Sequence, residues 1–398
     1  MRRPKSLIGR GSIAAAIAVT LAGGTAVPFA ATPGHLVEEG RQIFRFDTFG
    51  DEQLWTDVLE LHEVIETQVD PLTAFSVGLK VDVEALPPEL QTALLKQEVD
   101  LTDPAVTVAL LKLDAVVGVI GQVETIDGVD HLISVGVTCA LCHSTVDDSL
   151  LPNIGHRLDG WPNIDLDPGA IIALSPNLPP DVQAVYNSWG PGKYDPRFNI
   201  DGQSTPLVLP PAFGLGDVKR ETYTGDGKIS YWNNYVAVTQ MGGQGTFVDP
   251  ELGIHVVHHP DLVKRKLNPL RRYQLSLETP APPAGSFDPV AAAAGEAVFN
   301  DPETGDCARC HIPPLFTDIN EGVLHAPEEV GQDPAYALRT RTQLYRTTPL
   351  RALWQHPPYF HDGSAATLLD VVNHYDSHFD LGLTDQQKSD LAEYLKSL

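Results

Sequence analysis

All four cysteines of this chain fall in two five-residue runs, Cys139-Ala140-Leu141-Cys142-His143 and Cys307-Ala308-Arg309-Cys310-His311. Each is a C-x-x-C-H run, the attachment signature of c-type haem. Two thiols one helical turn apart can add to the two vinyl groups of one porphyrin. The histidine that follows then supplies an imidazole nitrogen to the iron. Such a run fixes a flat cofactor by three bonds from one turn of chain. A C-x-x-C pair alone also suits a redox dithiol or half of a zinc site, but neither chemistry requires the adjacent histidine. Both motifs are complete and use every thiol, so none is left for a structural disulfide. The expectation is two covalently bound haem c groups on Cys139, Cys142, Cys307 and Cys310, with His143 and His311 as proximal iron ligands.

The length, 398 residues, suggests about two to three domains. Residues 1–31 read as a secretory leader. Arg2, Arg3, Lys5 and Arg10 precede a short apolar run, and small residues follow, with cleavage after Ala26 or Ala31. An uncleaved anchor is the competing reading, although the run is short for a membrane span. Export to the periplasm or another extracytoplasmic space agrees with the motifs, because c-type haem is attached outside the cytoplasm. Losing the four basic residues of the leader takes the formal charge from −25 to −29. A surface so acidic repels nucleic acid and anionic membrane. It would steer a small basic redox carrier, in a salt-dependent way, or simply keep the protein soluble.

Apolar spacing predicts helix across Gly34–Gln68, in short pieces at Leu90–Lys96 and Ala105–Gly121, and over Val290–Phe299 and Asp385–Leu398. The apolar stretch His131–Thr138 is expected to lie against the first porphyrin. His255, His258 and His259 crowd a Pro-flanked loop and read as surface rather than as a third metal site. The Pro-rich segment 279–289 reads as a linker. The expected fold class is mainly α, with two cytochrome c-like haem domains (131–278 and 290–398) and an N-terminal helical region with an insertion (32–130). Gly40-x-x-x-Phe44 and Gly295-x-x-x-Phe299 form a weak repeat that sets a small residue and an aromatic on one helix face.

Gly295-Glu-Ala-Val-Phe299, the second haem motif, and Pro313-Pro-Leu-Phe-Thr317 together resemble the second haem domain of the bacterial di-haem cytochrome c peroxidases. So do Thr348-Pro-Leu-Arg351, Pro358-Tyr-Phe-His-Asp-Gly363 and Ala366-Thr-Leu368. That family includes the di-haem enzyme that matures methylamine dehydrogenase. The resemblance runs over roughly residues 290 to 376, is looser from 139 to 245, and is absent from 45 to 130. It implies two mostly helical domains with haems at their interface, one relaying electrons and the other reacting with peroxide. By position it implies His156, in Ile154-Gly155-His156, as a distal ligand to the first iron. For the second iron it implies Tyr375, with His374 beside it, where the peroxidases have methionine. It further implies His361 near a haem, calcium held by backbone oxygens near His356 and Pro358, and Trp232 as the tryptophan between the haems.

Two departures stand out. The mature chain has one methionine, Met241, so at most one haem can have His/Met ligation. Replacing a thioether by a harder ligand generally lowers the iron's potential. Where the peroxidases place a glutamate before a methionine, this chain has Gln240-Met241, and an amide cannot take a proton at neutral pH. Gln240 is the candidate catalytic position, and Glu221 or Glu251 could supply the missing carboxylate. The functional expectation is an exported di-haem oxidoreductase that couples electron transfer to peroxide reduction or substrate oxidation. The alternatives are a non-catalytic di-haem carrier with both irons six-coordinate and, third, a haem-based sensor or assembly partner.

Overall fold

The computed structural model describes residues 33–398, and the expected leader lies outside them. Two helix crossings frame the chain. The helix Pro33–Phe46 packs on Leu267–Gln274, and the helix Pro289–Asn300 packs on Asp385–Ser397. Gly40 and Gly295 sit at the points of closest approach. A Cβ on Gly40 would lie 2.0 Å from the Pro269 carbonyl oxygen, and one on Gly295 would lie 2.0 Å from that of Asp390. One turn later Phe44 and Phe299 are buried. Phe44 meets Tyr273 with ring centroids 5.5 Å apart, and Phe299 meets Tyr394 at 5.2 Å. The Gly-x-x-x-Phe repeat is thus built twice as the same device: glycine lets the backbones touch, and the aromatic one turn on fills the space beside the contact.

The helix ends follow local rules. Asp288 caps Pro289–Asn300 by accepting from Val290 N and Ala291 N, with proline in the first turn. Thr384 and Gln387 form a reciprocal capping box on the last helix. Between the first and last elements, helices outweigh strands, and the strands form five two-stranded sheets among the described residues. None of the described helices is long and apolar enough to cross a membrane.

The expected N-terminal helical region is corrected in two places. The helix that begins at Pro104 stops at Lys112 rather than running to Gly121. The chain turns through Asp114 and Gly118, both with positive φ, into an antiparallel hairpin of Val119–Ile126 on Val129–Val137. Gly118 is required there, since a Cβ would fall 2.1 Å from Leu141 N. Residues 131–138 are therefore largely strand. Leu132, Val135 and Val137 are buried along it; the step of three between Leu132 and Val135 takes up the register shift at Gln122/Val123, and strand alternation resumes at Val135 and Val137. The first long helix also ends at Phe46. A single π-helical turn, Gln53–Val58, separates it from the helix Leu61–Gln68.

Two main cores lie on either side of the 279–289 stretch in sequence. One runs from Ile43 to Tyr273, the other from Phe299 to Leu395. A smaller cluster joins Leu207 to Tyr336, Ala337 and Tyr345, so the segment after residue 336 packs onto the first half.

Asp51 anchors the end of the hairpin strand that leads into the first motif. It is fully buried, and both carboxylate oxygens accept from Val137 N at 3.2 Å. Burial, reinforced by the charge of Glu52, pushes its pKa up from 3.8 to about 9. The fold therefore holds a neutral acid here. Between pH 3.8 and about 9 the unfolded chain releases a proton that the folded chain keeps. Stability falls as pH rises through that window, by at most about 1.4 kcal/mol per unit. Asp51→Asn should leave the denaturation midpoint near pH 4 unchanged and raise it above pH 6, flattening the profile. Gly40→Ala and Gly295→Ala should each cost about 1–3 kcal/mol by overpacking a backbone contact, read as a lower midpoint in urea.

Candidate haem-binding site

The hairpin strand ends at Val137 and delivers Cys139 to the N-cap of a one-turn helix, Ala140–His143. Thr138 holds this entry: its Oγ1 donates to Arg45 O at 3.1 Å and accepts from Ala140 N at 3.3 Å. The loop beyond closes over the exit, with Gly160 N donating to His143 O at 2.8 Å and Asn163 N to Cys142 O at 3.0 Å. Cys139, Cys142 and His143 all face one cavity of about 250 Å3, whose walls include Trp55, Ile172, Leu209, Phe213, Trp232 and Met241. The second half of the chain closes it, through Tyr336, Arg346, Arg351 and His356.

His143 Nδ1 lies 3.1 Å from the Pro210 carbonyl oxygen. A carbonyl only accepts, so Nδ1 carries the proton and Nε2 keeps the lone pair a metal needs. The ring is half-buried by area, but its open surface faces the cavity rather than bulk water. Burial pushes its pKa down to about 4, which keeps the imidazole neutral at physiological pH. The second motif repeats the arrangement. His311 Nδ1 lies 3.0 Å from the Phe316 carbonyl oxygen, and burial lowers its pKa too. Cys307–Arg309 form a 3-10 turn entered through Asp306 at φ 48°. Cys307 packs on the second core, and the Phe299 and His311 ring centroids are 6.4 Å apart.

These residues fit porphyrin on observations independent of the motif spacing. Both histidines have the tautomer for ligation, and the first motif opens into an apolar cavity. The one described cluster suited to a bare cation, Cys310, Asp318 and His325 within 4.8 Å, takes one cysteine of a motif and omits its histidine. That is not the grouping of a Cys-x-x-Cys zinc site.

The distal candidates separate. His156 is exposed, with Nδ1 3.2 Å from Glu84 Oε1, and is not on the cavity wall. The strand Ile154–Gly155 pairs with Val81–Asp82 and carries His156 to the surface. His156, expected as a distal ligand, thus stands away from the cavity that holds the first motif, and Met241 and Gln240 line that cavity. On the helix Leu368–Phe379, Tyr375 is half-buried. Burial, then the nearby Cys310 and Cys307, raise its phenol pKa. His374 turns elsewhere, with Nε2 3.4 Å from both Gln332 Nε2 and the Val330 carbonyl oxygen. His361 stacks on Tyr345, its Nε2 3.0 Å from the phenol oxygen. His255, His258 and His259 are exposed.

Gln240 is fixed by its partners. Its Oε1 accepts from Tyr194 OH at 3.0 Å, and its Nε2 donates to Asn199 Oδ1 at 3.1 Å. The carboxylate on the cavity wall is Glu221, which is buried; its Oε2 accepts from Ile229 N at 3.0 Å, and Arg271 Nη2 lies 3.4 Å from Oε1. Glu251 is exposed and pairs with Arg341 at 3.0 Å. Trp232 lines the cavity. Trp161 meets Phe213 of the cavity wall at 6.4 Å and Trp354 at 5.7 Å, and Trp354 follows Leu353 of the second core. No sequence signal marked Trp161 and Trp354, since their pairing is purely tertiary.

No family profile matches the chain. It is 30% identical to hydrazine synthase subunit gamma of Kuenenia stuttgartiensis, over 26% of this chain and 40% of that protein. It is also 30% identical to the methylamine utilization protein MauG of Methylophilus methylotrophus, over 26% of this chain and 35% of that protein. The chain thus spans less than half the length of each of these relatives. Among solved structures, a hydrazine synthase of Kuenenia stuttgartiensis aligns at 22% identity and TM-score 0.35, covering 50% of this chain and 74% of that one. A variant of the diheme peroxidase BthA from Burkholderia thailandensis aligns at 16% identity and TM-score 0.31, over 66% of this chain and 81% of that one.

Burial pushes the thiols of Cys139 and Cys142 up to about 12 and that of Cys307 up to about 11, while Cys310 is raised less. Only the thiolate attacks an alkylating agent, and each unit of pKa is about tenfold in its population. In the haem-free chain, iodoacetamide at pH 8 should label Cys310 first, Cys307 next, and Cys139 and Cys142 last, as read by peptide mass spectrometry.

Proposed function

We propose that this protein is an exported di-haem c-type oxidoreductase that couples electron transfer to the reduction of hydrogen peroxide or a related small oxidant. The observation that carries the reading is the twofold one: in both motifs the histidine Nδ1 is tied to a backbone carbonyl, leaving Nε2 for iron. The similarity to MauG and to a hydrazine synthase subunit supports the reading. Bound haem would supply one-electron chemistry and, with an open sixth position, a place for peroxide.

The chain's own residues have definite tasks in this reading. Cys139, Cys142, Cys307 and Cys310 would anchor the two porphyrins, and His143 and His311 would each supply an imidazole nitrogen to an iron. Glu221, rather than Gln240, holds and moves the peroxide proton, because it is the carboxylate that faces the first cavity. Gln240, clamped by Tyr194 and Asn199, orients a substrate oxygen by hydrogen bonding. Tyr375 is the distal group of the second site. Trp161 and Trp354 give electrons an aromatic route between the two sites. Domains at 131–278 and 290–398 would each carry one haem. The acidic surface suits a small basic electron carrier as partner.

A relay with two six-coordinate irons is the second reading. It is favoured by Gln240 at the position where an acid is expected and by Met241 on the wall of the first cavity. The spectrum of the oxidised holoprotein decides between them. A five-coordinate, high-spin iron that shifts on adding peroxide supports the enzyme, and two unreactive low-spin irons support the relay. In a peroxide assay Glu221→Gln should lower turnover by about 100-fold or more, whereas Gln240→Glu should keep or raise it. Unchanged turnover in Glu221→Gln would remove that residue from the mechanism.

A further inference from the structure

The first cavity contains a cation that the protein itself leaves uncompensated. Arg346 is 8% exposed and lies on the same wall as Cys139, Cys142 and His143. Its Nε has no hydrogen-bond partner. Its Nη1 reaches only the Arg220 carbonyl oxygen, at a long 3.4 Å. Among the described residues it forms no ion pair, since Glu221, the acid nearest in kind, is engaged by Arg271. Burial drives its pKa down to about 10, against weak opposition from Tyr223 and Glu221.

A second donor waits beside it. Arg346 N donates to Tyr223 O at 2.8 Å, which brings Thr222 alongside. Thr222 is also 8% exposed and lines the same cavity, and its Oγ1 is another buried atom without a partner. Arg351, half-buried on the same wall, adds positive charge. An unpaired buried guanidinium and an unpaired buried hydroxyl each cost free energy that an anion would recover. A carboxylate matches both, taking the guanidinium fork and the hydroxyl proton together.

We infer that Arg346 and Thr222 form a carboxylate site in the first cavity, and that its occupant is a propionate of the haem attached at Cys139 and Cys142. The inference rests on the haem reading above. It adds that the second half of the chain supplies the counter-charge for the cofactor of the first half. A free carboxylate substrate has the same chemistry and is the rival occupant.

The test uses the full chain made in a host competent in cytochrome maturation. A haem stain and intact mass of the wild type come first, and a haem-free product would sink the haem reading itself and this inference with it. Given two haems, Arg346→Gln should lower one of the two midpoint potentials at pH 8 and leave the other in place, because loss of a nearby cation favours the ferric state. Arg346→Lys should restore part of the shift. Thr222→Val should move the same midpoint downward by less, and it serves as the readout if Arg346→Gln fails to fold. Titration of wild type with acetate or benzoate should leave the haem spectrum unchanged, because the site is already filled. The inference is overturned if both midpoints stay fixed in the variants. It is equally overturned if acetate or benzoate saturates a spectral change in wild type that Arg346→Gln abolishes.

Discussion

One kind of hydrogen bond, made twice, governs what each motif can do. The imidazole of His143 gives its Nδ1 proton to Pro210, and that of His311 gives its own to Phe316. A free histidine would distribute its proton between two nitrogens and rotate about two bonds. Tied to a backbone carbonyl inside a buried wall, it has one tautomer, one orientation and a depressed pKa. The acceptors come from different distances along the chain, Pro210 from a remote loop and Phe316 from the turn just after the motif. The first site therefore depends on tertiary closure, whereas the second is nearly complete locally.

The same asymmetry runs through the packing. Both sites lie beside a helix crossing built on a glycine and an aromatic, Gly40 with Phe44 and Gly295 with Phe299. In the second half the motif follows directly on the first crossing helix, Pro289–Asn300. In the first, the helices Pro33–Phe46 and Leu267–Gln274 bracket a long run of chain that holds the hairpin, the motif and most of the larger core. The first cavity still needs residues from beyond position 336 to close. Arg346, Arg351 and His356 belong to its wall although the second motif is nearer in sequence. The two halves thus meet through packed side chains, among them Trp161 against Trp354.

The polar groups of the first cavity show why a position in sequence is a weak guide to surroundings in the fold. Gln240 occupies the place where an acid is expected, but its amide is locked between Tyr194 and Asn199. Glu221 reaches the same cavity from a turn-rich segment with no motif of its own. His156 has the expected neighbours in sequence, yet it follows the pairing of Ile154–Gly155 with Val81–Asp82 and is exposed. A strand pairing of two residues is enough to reverse which face a side chain takes, because neighbours in a strand point to opposite sides.

The amino-acid order alone singled out the two Cys-x-x-Cys-His runs as candidate cofactor positions, because three bonds to one porphyrin demand a fixed spacing within one turn. It also carried the Gly-x-x-x-Phe repeat and the capped helices at Pro289–Asn300 and Asp385–Ser397, since close backbone approach and helix ends depend on a few local residues. It misread residues 113–121 as helix, where a positive-φ glycine pressed against Leu141 turns the chain into a hairpin. Only the tertiary structure decided which groups face the first cavity, which tryptophans meet, and that a buried arginine from the far end of the chain stands there without a partner. Those outcomes depend on which distant segments come together, and no local pattern of residues encodes that.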